Sequence, residues 1–351
     1  MELDESSCIA KIKKLPKTEL HAHLNGSISQ NTAKKLIDLK KLKSGDNSTF
    51  DLNIPKLASN DLPGCFELFS LFHELTDSPE AIYLATCDVI KEFYEDNVLY
   101  LELRTTPKAS FAGHMTQKSY VEVVVKAIED TCSTVCQKMT VKLLLSIDRK
   151  RSVTDAEETM KIAEEYTTST TKIVGVDLSG NPVCDARHLF PVLEYVKKAG
   201  LNLTVHISEV PNTFEEVEAL LKIHPDRLGH GTYLHPSKGG SEKNYDLLKQ
   251  LKIPLEVCLT SNVISKTVES YESHHFPLFR DIGYPIVLCT DDKGVFDTTL
   301  SKEYYLASKY YGLMEDDLFN HSFNSINYIF ATEQEKCQLQ ELWKQQNNKN
   351  N

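Results

Sequence analysis

The sequence predicts an α/β fold, and within that class a (β/α)8 barrel, from three observations. Eight short apolar segments alternate with longer amphipathic segments along the 351 residues, a pattern typical of parallel strands connected by helices. Polar, chemically capable residues follow nearly all eight apolar segments, as they do where strand ends surround the mouth of a barrel. No G-x-G-x-x-G follows the first segment, which disfavours the alternative, an open doubly wound sheet.

The predicted strands are rich in Leu, Val and Ile, as buried parallel strands are. In chain order they are LHAHLN (20–25), VLYLELRTT (98–106), KLLLSID (142–148), IVGVDLSG (173–180), LNLTVHIS (201–208), RLGHGT (227–232), PLEVCLTSN (254–262) and PIVLCTDD (285–292). Intervening segments such as YVEVVVKAIEDTCSTVCQKM show helical periodicity with charged faces. We therefore expect one domain over residues 1–344, followed by a frayed polar tail over residues 345–351.

A long connection over residues 40–75 separates the first two predicted strands. It begins with the polar loop SGDNSTFDLNIP and continues as FELFSLFHEL. Connections of this length are often lids or binding loops, so we expect a helical lid insertion after the first strand. Phe66, Phe69, Phe72 and His73 recur there at helical spacing, a stripe that fits either ordinary packing or the wall of a ligand site.

The composition restricts the class of partner. A net charge of −11 argues against a general nucleic-acid binder, because neutralising phosphates requires clustered Lys and Arg. No apolar run is long enough to span a bilayer, and the N-terminus lacks the apolar core of a signal peptide. The nine cysteines are scattered without a C-x-x-C pair, as is typical of reduced thiols. We expect a cytoplasmic protein that binds a small molecule, with no membrane partner, and a monomer because the site requires no second chain.

Three histidines and an aspartate predict a metal site at the barrel mouth. His21 and His23 are two residues apart in the first predicted strand, so their side chains point to the same side. His206 ends the fifth strand and Asp291 the eighth. This set suits one zinc ion with a coordination position left open, as a catalytic site requires. The ligand types alone do not exclude another divalent ion.

Two further residues follow strands at the same mouth. Glu209 lies three residues after His206, where a carboxyl group could sit beside a metal-activated water; the alternative is an acidic residue at a helix N-terminus. His230 lies in the GHG of the sixth strand, where glycines permit close approach to the backbone. By itself, His230 fits a turn histidine better than a catalytic residue.

In order and spacing these motifs resemble the adenosine deaminase superfamily of metal-dependent hydrolases. The resemblance is strongest to its adenosine deaminase-like branch, which acts on N6-methyl-AMP. It covers nearly the whole chain, from LPKTELHAHLNGS through LELRTTPK, GVDLSGNP, HISE and RLGHGT to CTDD. The resemblance implies one zinc ion and hydrolytic deamination at C6 of a purine nucleoside monophosphate, with N6-methyl-AMP converted to IMP and methylamine.

The resemblance also implies roles for individual residues. His21, His23, His206 and Asp291 would bind the zinc, and Asp291 would take part in catalysis. Glu209 matches the proton donor to purine N1, and His230 the residue that orients or deprotonates the water. Substrate contacts are implied for residues around the mouth: His23, Asn25, His73, Thr105, Thr106, Pro107, Lys108, Asp148, Gly180, whose backbone would donate to the purine ring, and Asp292, a partner for N7.

Two features favour a nucleotide over a free nucleoside. Family members that take free adenosine resemble H-A-H-L-D-G-S at the first motif, whereas this chain has Asn25, an amide that does not repel a 5′-phosphate. Residues 105–108 supply hydroxyls and a cation suited to phosphate. The branch often carries Arg at the position of Lys108, so this lysine would act as a point charge rather than a bidentate ligand.

Two alternatives stay open from the sequence. One is a deaminase of free adenosine, and the other is a catalytically inactive relative that only binds a ligand. The full set of metal-ligating and acid–base residues speaks against the second. The sequence does not determine whether methylamine or ammonia is the preferred leaving group.

Overall fold

The chain forms a parallel eight-stranded sheet that curls into a nearly closed barrel. In the computed structural model the described residues are 4–44, 62–169 and 172–350. The strands pair in sequence order. They are β1 (Lys17–His23), β2 (Val98–Thr105), β3 (Thr140–Asp148), β4 (Ile173–Ser179), β5 (Asn202–Ile207), β6 (Arg227–His230), β7 (Leu255–Val257) and β8 (Ile286–Leu288). A parallel bridge between Ala22 and Asp291 brings the chain after β8 beside β1, so the predicted (β/α)8 fold is confirmed.

Most of the helices connect successive strands; the first precedes β1 and the last three follow β8. They are α1 (Glu5–Ile12), α2 (Gln30–Ser44), α3 (Leu62–Leu75), α4 (Pro79–Glu95), α5 (Gln117–Thr134), α6 (Val153–Ser169), α7 (Phe190–Lys198), α8 (Phe214–Lys222), α9 (Glu242–Leu251), α10 (Leu259–Ile264), α11 (Phe276–Arg280), α12 (Leu300–Tyr311), α13 (Glu315–Ser325) and α14 (Glu333–Asn350). Their starts follow ordinary capping rules. Ser78 caps α4 just before a proline, and Thr116 and Ser119 form a capping box at α5.

The last two strands are shorter than the sequence predicts. The apolar segments over 254–262 and 285–292 contribute only three residues each to the sheet. Buried carboxylates take the place of a neighbouring strand there: Thr260 N donates to Glu303 (3.1 Å) and Thr290 N to Glu19 (3.0 Å). Because these N–H groups are satisfied outside the ladder, the polar residues that follow are free to turn into the mouth.

The expected insertion between β1 and β2 contains helices α2, α3 and α4. Helix α3 covers the predicted FELFSLFHEL segment, whereas the preceding polar loop at 45–61 lies outside the described residues, as does the side chain of Phe66. Phe72 is fully buried in the core, and Phe69 and His73 line a cavity at the mouth of the barrel. The aromatic stripe therefore serves both packing and the cavity wall, and a lid function stays a prediction.

Charged residues occupy the barrel interior, where aliphatic layers are usual. Arg104 donates to Asp177 (3.0 Å) and to Glu256 (2.9 Å), and Arg227 donates to Glu256 (2.7 Å) and to Glu102. All five side chains are fully buried. Such charges are costly to bury unless they are paired and hydrogen-bonded. This paired network lies directly beneath the mouth of the barrel and supports it.

The C-terminal helix α14 continues through residues 345–350, a segment for which the sequence predicts a frayed tail. Trp343 anchors this helix: its ring is fully buried and its Nε1 donates to Ser322 Oγ at 2.9 Å. Lys and Gln, both good helix formers, follow Trp343 and extend the helix from this anchor. In the part of the chain that the structure describes, no helix has the length and apolar character needed to cross a membrane.

Candidate active site

Four side chains converge at the mouth of the barrel in the geometry of a metal centre. One ligand atom from each of His21, His23, His206 and Asp291 lies within 4.8 Å of the others. The Nε2 atom of His206 is 3.1 Å from that of His21 and 3.2 Å from that of His23. Both latter atoms are 3.3 Å from Asp291 Oδ1. Donors that share an ion at about 2.0–2.1 Å lie roughly 3.3 Å apart, so the spacing fits one small divalent ion.

The outer nitrogens of two of these histidines set the direction of the inner ones. His21 Nδ1 is 2.7 Å from Glu256 Oε2, and His206 Nδ1 is 2.9 Å from the carbonyl of Leu178 and 3.1 Å from Asp177 Oδ1. These partners are acceptors, so Nδ1 carries the proton and Nε2 presents a lone pair. Two lone pairs 3.1 Å apart repel each other unless a cation lies between them. The donor set therefore fits a divalent metal.

The surroundings of the four residues are anionic. Burial would raise the pKa of Glu256, but the guanidinium groups of Arg104 and Arg227 hold it well below its usual range. Burial would also raise the pKa of Asp291. Its hydrogen bond to His21 and the charges of the nearby histidines outweigh burial and hold that pKa well below its usual range. Both groups are thus carboxylates at neutral pH, and they favour a bound cation.

The other predicted catalytic residues face the same point. His230 Nε2 is 3.7 Å from Glu209 Oε2 and 3.9 Å from Asp291 Oδ2. Burial lowers the pKa of His230 to about 4, so its ring is neutral at pH 7. Glu209 Oε1 is buried without a hydrogen-bond partner among the described residues. Burial and the adjacent Asp291 carboxylate raise the pKa of Asp292 well above its usual range, which leaves Asp292 a neutral acid able to donate.

A cavity of about 530 Å³ opens beside these groups. Its lining includes most of the predicted site residues: His23, Asn25, His73, Thr105, Thr106, Lys108, Asp148, Gly180, His206, Glu209, His230, Asp291 and Asp292. Pro107 lines a separate small pocket, and His21 is fully buried, outside the cavity lining. Gly180 has φ +104° and an added Cβ would lie 2.6 Å from Asp148 Oδ1, so a side chain there would be strained in conformation and crowded.

The end of the cavity beneath helix α3 is cationic. Lys108 Nζ donates to the carbonyl of His73 (2.8 Å) and to Thr76 Oγ1 (3.0 Å), tying α3 to the end of β2. Burial lowers the pKa of Lys108 to about 8. Lys150 and Arg151 also line this cavity, and neither side chain makes a hydrogen bond or ion pair to any residue that the structure describes.

His73 and Asn25 complete the cationic end. Burial and the charges of Lys108 and Arg151 lower the pKa of His73, which favours a neutral ring beside the cations. Asn25 Nδ2 lies 3.4 Å from Thr76 Oγ1, while Asn25 Oδ1 is buried without a partner among the described residues. This end of the cavity therefore offers positive charge and donors to a ligand.

Several supporting residues were not identified from the sequence. Asp177 and Glu256 hold the metal-facing histidines, and Arg104 pairs with both carboxylates. Ser261 Oγ donates to Asp291 Oδ2 (2.6 Å), and Asn262 contacts His230. A charged residue in the middle of an apolar strand, as in LELRTT, GVDLSG and LEVCL, is the signal that could have found the first three. Ser261 and Asn262 lie on α10, in a segment that the sequence predicts as the end of the seventh strand.

Three residues at the same mouth have an uncommon backbone conformation. Ser208, His230 and Asp291 follow or end strands β5, β6 and β8 and have φ values of 56°, 62° and 63°. This left-handed conformation is uncommon for residues with a side chain. Strained residues of this kind often occur at functional sites, where the surrounding structure holds them in place.

The fold and this group of side chains define a metal-dependent hydrolase built on a (β/α)8 barrel. Comparison with known proteins agrees: the family model for adenosine deaminase matches residues 16–345. The chain belongs to the adenosine deaminase family. The family resemblance and the enzyme class predicted from the sequence are thereby confirmed.

Relatives and solved structures place the chain near one branch of the family. It is 47% identical to human N6-methyl-AMP deaminase over 332 residues, which is 94% of this chain and 92% of the relative. The apo structure of Arabidopsis thaliana N6-methyl-AMP deaminase superposes with a TM-score of 0.87 at 37% identity, covering 96% of this chain and 98% of the other. Arabidopsis ADAL complexed with IMP gives a TM-score of 0.85 at 38% identity, covering 95% and 97%.

Proposed function

We propose that this protein is a zinc-dependent deaminase that hydrolyses N6-methyl-AMP to IMP and methylamine. The observation that carries the proposal is a single cavity with a metal-binding group at one end and unpaired cations at the other. A purine nucleoside monophosphate matches this polarity, because its reactive base and its 5′-phosphate lie at opposite ends. The N6-methyl-AMP deaminases among its relatives, and the relative bound to IMP, support this assignment.

At the metal end, His21, His23, His206 and Asp291 would hold the ion. Zinc, when bound, supplies Lewis acidity that makes a water molecule nucleophilic near neutral pH. His and carboxylate ligands suit zinc, and their spacing fits its small coordination sphere. We infer a monomer, because the four proposed metal ligands are a complete set without a residue from a second chain, and a cytosolic location consistent with scattered thiols.

The protein's own residues would carry the proton transfers. Hydrolysis places the oxygen of water on C6, one proton on purine N1 and the other on the departing methylamine. Glu209, whose Oε1 has no partner among the described residues, would give its proton to N1 and make C6 electrophilic. Asp292, held neutral, would donate to N7, and the backbone of Gly180 would donate to the purine ring.

At the other end, the 5′-phosphate would meet positive charge from three side chains. Lys108 supplies charge while holding helix α3 through its bonds to His73 and Thr76. Lys150 and Arg151 have no competing partner among the described residues and can turn toward a ligand. Thr105 and Thr106 supply hydroxyl groups, and His73 and Asp148 line the same cavity.

The test is a side-by-side steady-state assay of N6-methyl-AMP, AMP and free adenosine, with a chelator control. We expect chelator-sensitive turnover of N6-methyl-AMP and little turnover of adenosine. Turnover of adenosine alone would retain the metal chemistry and contradict the nucleotide assignment. No turnover of any substrate by protein shown to hold zinc would contradict the proposed reaction.

Asn25→Asp sharpens this test within the same protein. The carboxylate introduced at position 25 would repel the 5′-phosphate, so kcat/KM for N6-methyl-AMP should fall about 10-fold. The value for N6-methyladenosine, which has no phosphate, should fall much less. Asn181→Asp, which adds the same charge at the end of β4 and also lines the cavity, is the matched control. Equal losses for both substrates would place the phosphate elsewhere.

A further inference from the structure

A chain of buried hydrogen bonds runs from a backbone N–H to His230 at the active site. It passes through His274, whose side chain contacts Asn262, and Asn262 in turn contacts His230 Nδ1 at 3.1 Å. All three side chains are almost completely buried, at 3%, 1% and 3% exposure. None of them binds the proposed metal, so the role of this series of hydrogen bonds is its effect on His230.

The direction of the first hydrogen bond is fixed by the backbone. Phe276 N donates to His274 Nδ1 at 3.0 Å, and an amide N–H can only donate. His274 Nδ1 is therefore the acceptor nitrogen of its ring. Burial lowers the pKa of His274 well below its usual range, so the ring is neutral and its single proton is on Nε2.

This result determines how the Asn262 amide is oriented. His274 Nε2–H donates to Asn262 Oδ1, 3.2 Å away. The flipped amide would place its NH2 group against His274 Nε2, which would then have to accept as well as Nδ1, and a neutral imidazole has only one acceptor nitrogen. With Oδ1 directed at His274, Asn262 Nδ2 donates to His230 Nδ1.

His230 consequently carries its proton on Nε2. That nitrogen faces Glu209 Oε2 and Asp291 Oδ2 at 3.7 and 3.9 Å, both beyond hydrogen-bond range. The N–H is thus directed between the carboxyl groups of Glu209 and Asp291 at the edge of the reaction cavity. A further contact holds the residue in place, since His275 Nε2 is 2.9 Å from the carbonyl of His230, whose backbone has φ 62°.

We propose that Asn262 and His274 are positioning residues that fix the tautomer of His230, so that it donates a hydrogen bond to the attacking oxygen instead of removing its proton. That proton passes instead to the Glu209 carboxylate that is left once N1 has been protonated. The sequence leaves both roles for His230 open, and the hydrogen-bond chain selects the donor role. The inference rests on the proposed function for the reaction that it serves. The tautomer is a property of the folded protein and is measured independently of turnover.

The direct test is nitrogen-15 NMR of histidine-labelled enzyme loaded with zinc, a diamagnetic ion. Protonated and unprotonated imidazole nitrogens resonate far apart, and the His230→Gln variant assigns the signals. We expect His230 Nε2 to be protonated and Nδ1 unprotonated. A protonated Nδ1, alone or together with Nε2, would overturn the proposal. Failure of the substrate assay with this tautomer present would refute only the proposed function.

Variants at the two positioning residues provide a second readout. Asn262→Asp replaces the donor by an acceptor, which should move the His230 proton to Nδ1 and lower kcat about 10²-fold, as loss of one transition-state donor does. His274→Gln keeps an N–H for Asn262 Oδ1 and should preserve both the tautomer and most of kcat, whereas His274→Leu should not. An unchanged tautomer in Asn262→Asp, or equal losses in the two His274 variants, would contradict the proposal. If Asn262→Asp does not fold, the wild-type spectrum decides.

Discussion

The two ends of the active-site cavity are built in different ways. At the metal end, His21 and His206 project from strands, are almost fully buried, and are each held by a charged partner in the barrel interior. At the opposite end, Lys150 is exposed and Arg151 half-buried on the connection after β3, and His73 comes from the insertion. The proposed chemistry therefore depends on residues of the rigid barrel, whereas the proposed recognition of the nucleotide depends on residues of the connections.

The energetic consequences of this difference are unequal. Removing one partner from a buried, hydrogen-bonded charge network leaves another charge uncompensated, which costs several kcal/mol. A half-exposed cation beside a ligand contributes far less, because water and salt screen it. Substitutions at the metal end should therefore change turnover and stability, and those at the cationic end should change KM for phosphorylated substrates.

The largest effect is expected for Glu209→Gln, which removes an acid from the metal end without removing a metal ligand. We expect kcat to fall about 10²–10⁴-fold, the usual contribution of a general acid, while the metal content stays unchanged. Steady-state kinetics and elemental analysis of the same preparation measure both quantities. Glu215→Gln, an exposed residue on α8, is the control, and an equal loss there would contradict the assignment.

Glu256→Gln tests the metal end from the barrel interior, below the mouth. The substitution leaves Arg104 and Arg227 without a shared carboxylate, so the free energy of unfolding should fall by about 3–5 kcal/mol. Metal affinity should fall about 10–100-fold, because His21 loses its charged partner. Urea unfolding and metal titration measure these changes. Glu315→Gln removes an exposed ion pair with Lys11 and should change neither; similar results for both variants would be inconsistent with a supporting network.

A pH profile separates Lys108 from the other cations. Its pKa is about 8, so its positive charge is present at pH 7 and lost as the pH rises above 8. The ratio of kcat/KM for N6-methyl-AMP to that for N6-methyladenosine should fall up to about 10-fold between pH 7 and 9. Lys108→Arg, whose charge persists, should flatten the profile. A decline that persists in Lys108→Arg would assign the titration to another group.

The smallest effect is expected for Arg151→Gln. Loss of one half-exposed charge should raise KM for N6-methyl-AMP about 5-fold with kcat unchanged, and should leave N6-methyladenosine unaffected. Arg187→Gln is the matched control, because Arg187 is exposed and paired with Asp185 and Glu215. A change in kcat at Arg151 would mean that the two ends of the cavity are not separate in function.

The sequence predicted the parts of the site that depend on position along a strand. His21, His23, His206, His230 and Asp291 follow from strand ends, because the barrel gathers these ends at one mouth. Glu256 could not be placed in the same way. Its contact with His21 joins residues 235 positions apart and depends on how the interior side chains interlock after closure.

The hydrogen-bond partners of individual side chains also could not be predicted from the sequence. Lys108 was predicted as a phosphate cation, and the structure shows its ammonium group bonded to His73 and Thr76. In our proposal the tautomer of His230 depends on Asn262, which contacts it from α10, and on His274, which contacts Asn262 from the segment before α11. Both facts depend on donor and acceptor directions that no spacing pattern encodes.

The most direct measurement of the two-ended cavity is a crystal structure of the zinc-loaded protein with IMP bound. We expect one ion about 2.0–2.2 Å from Nε2 of the three histidines and from the Asp291 carboxylate. The purine should lie at this end, with the phosphate beside Lys108, Lys150 and Arg151. An ion held by other residues, or a nucleotide bound with its phosphate at the metal end, would contradict the account.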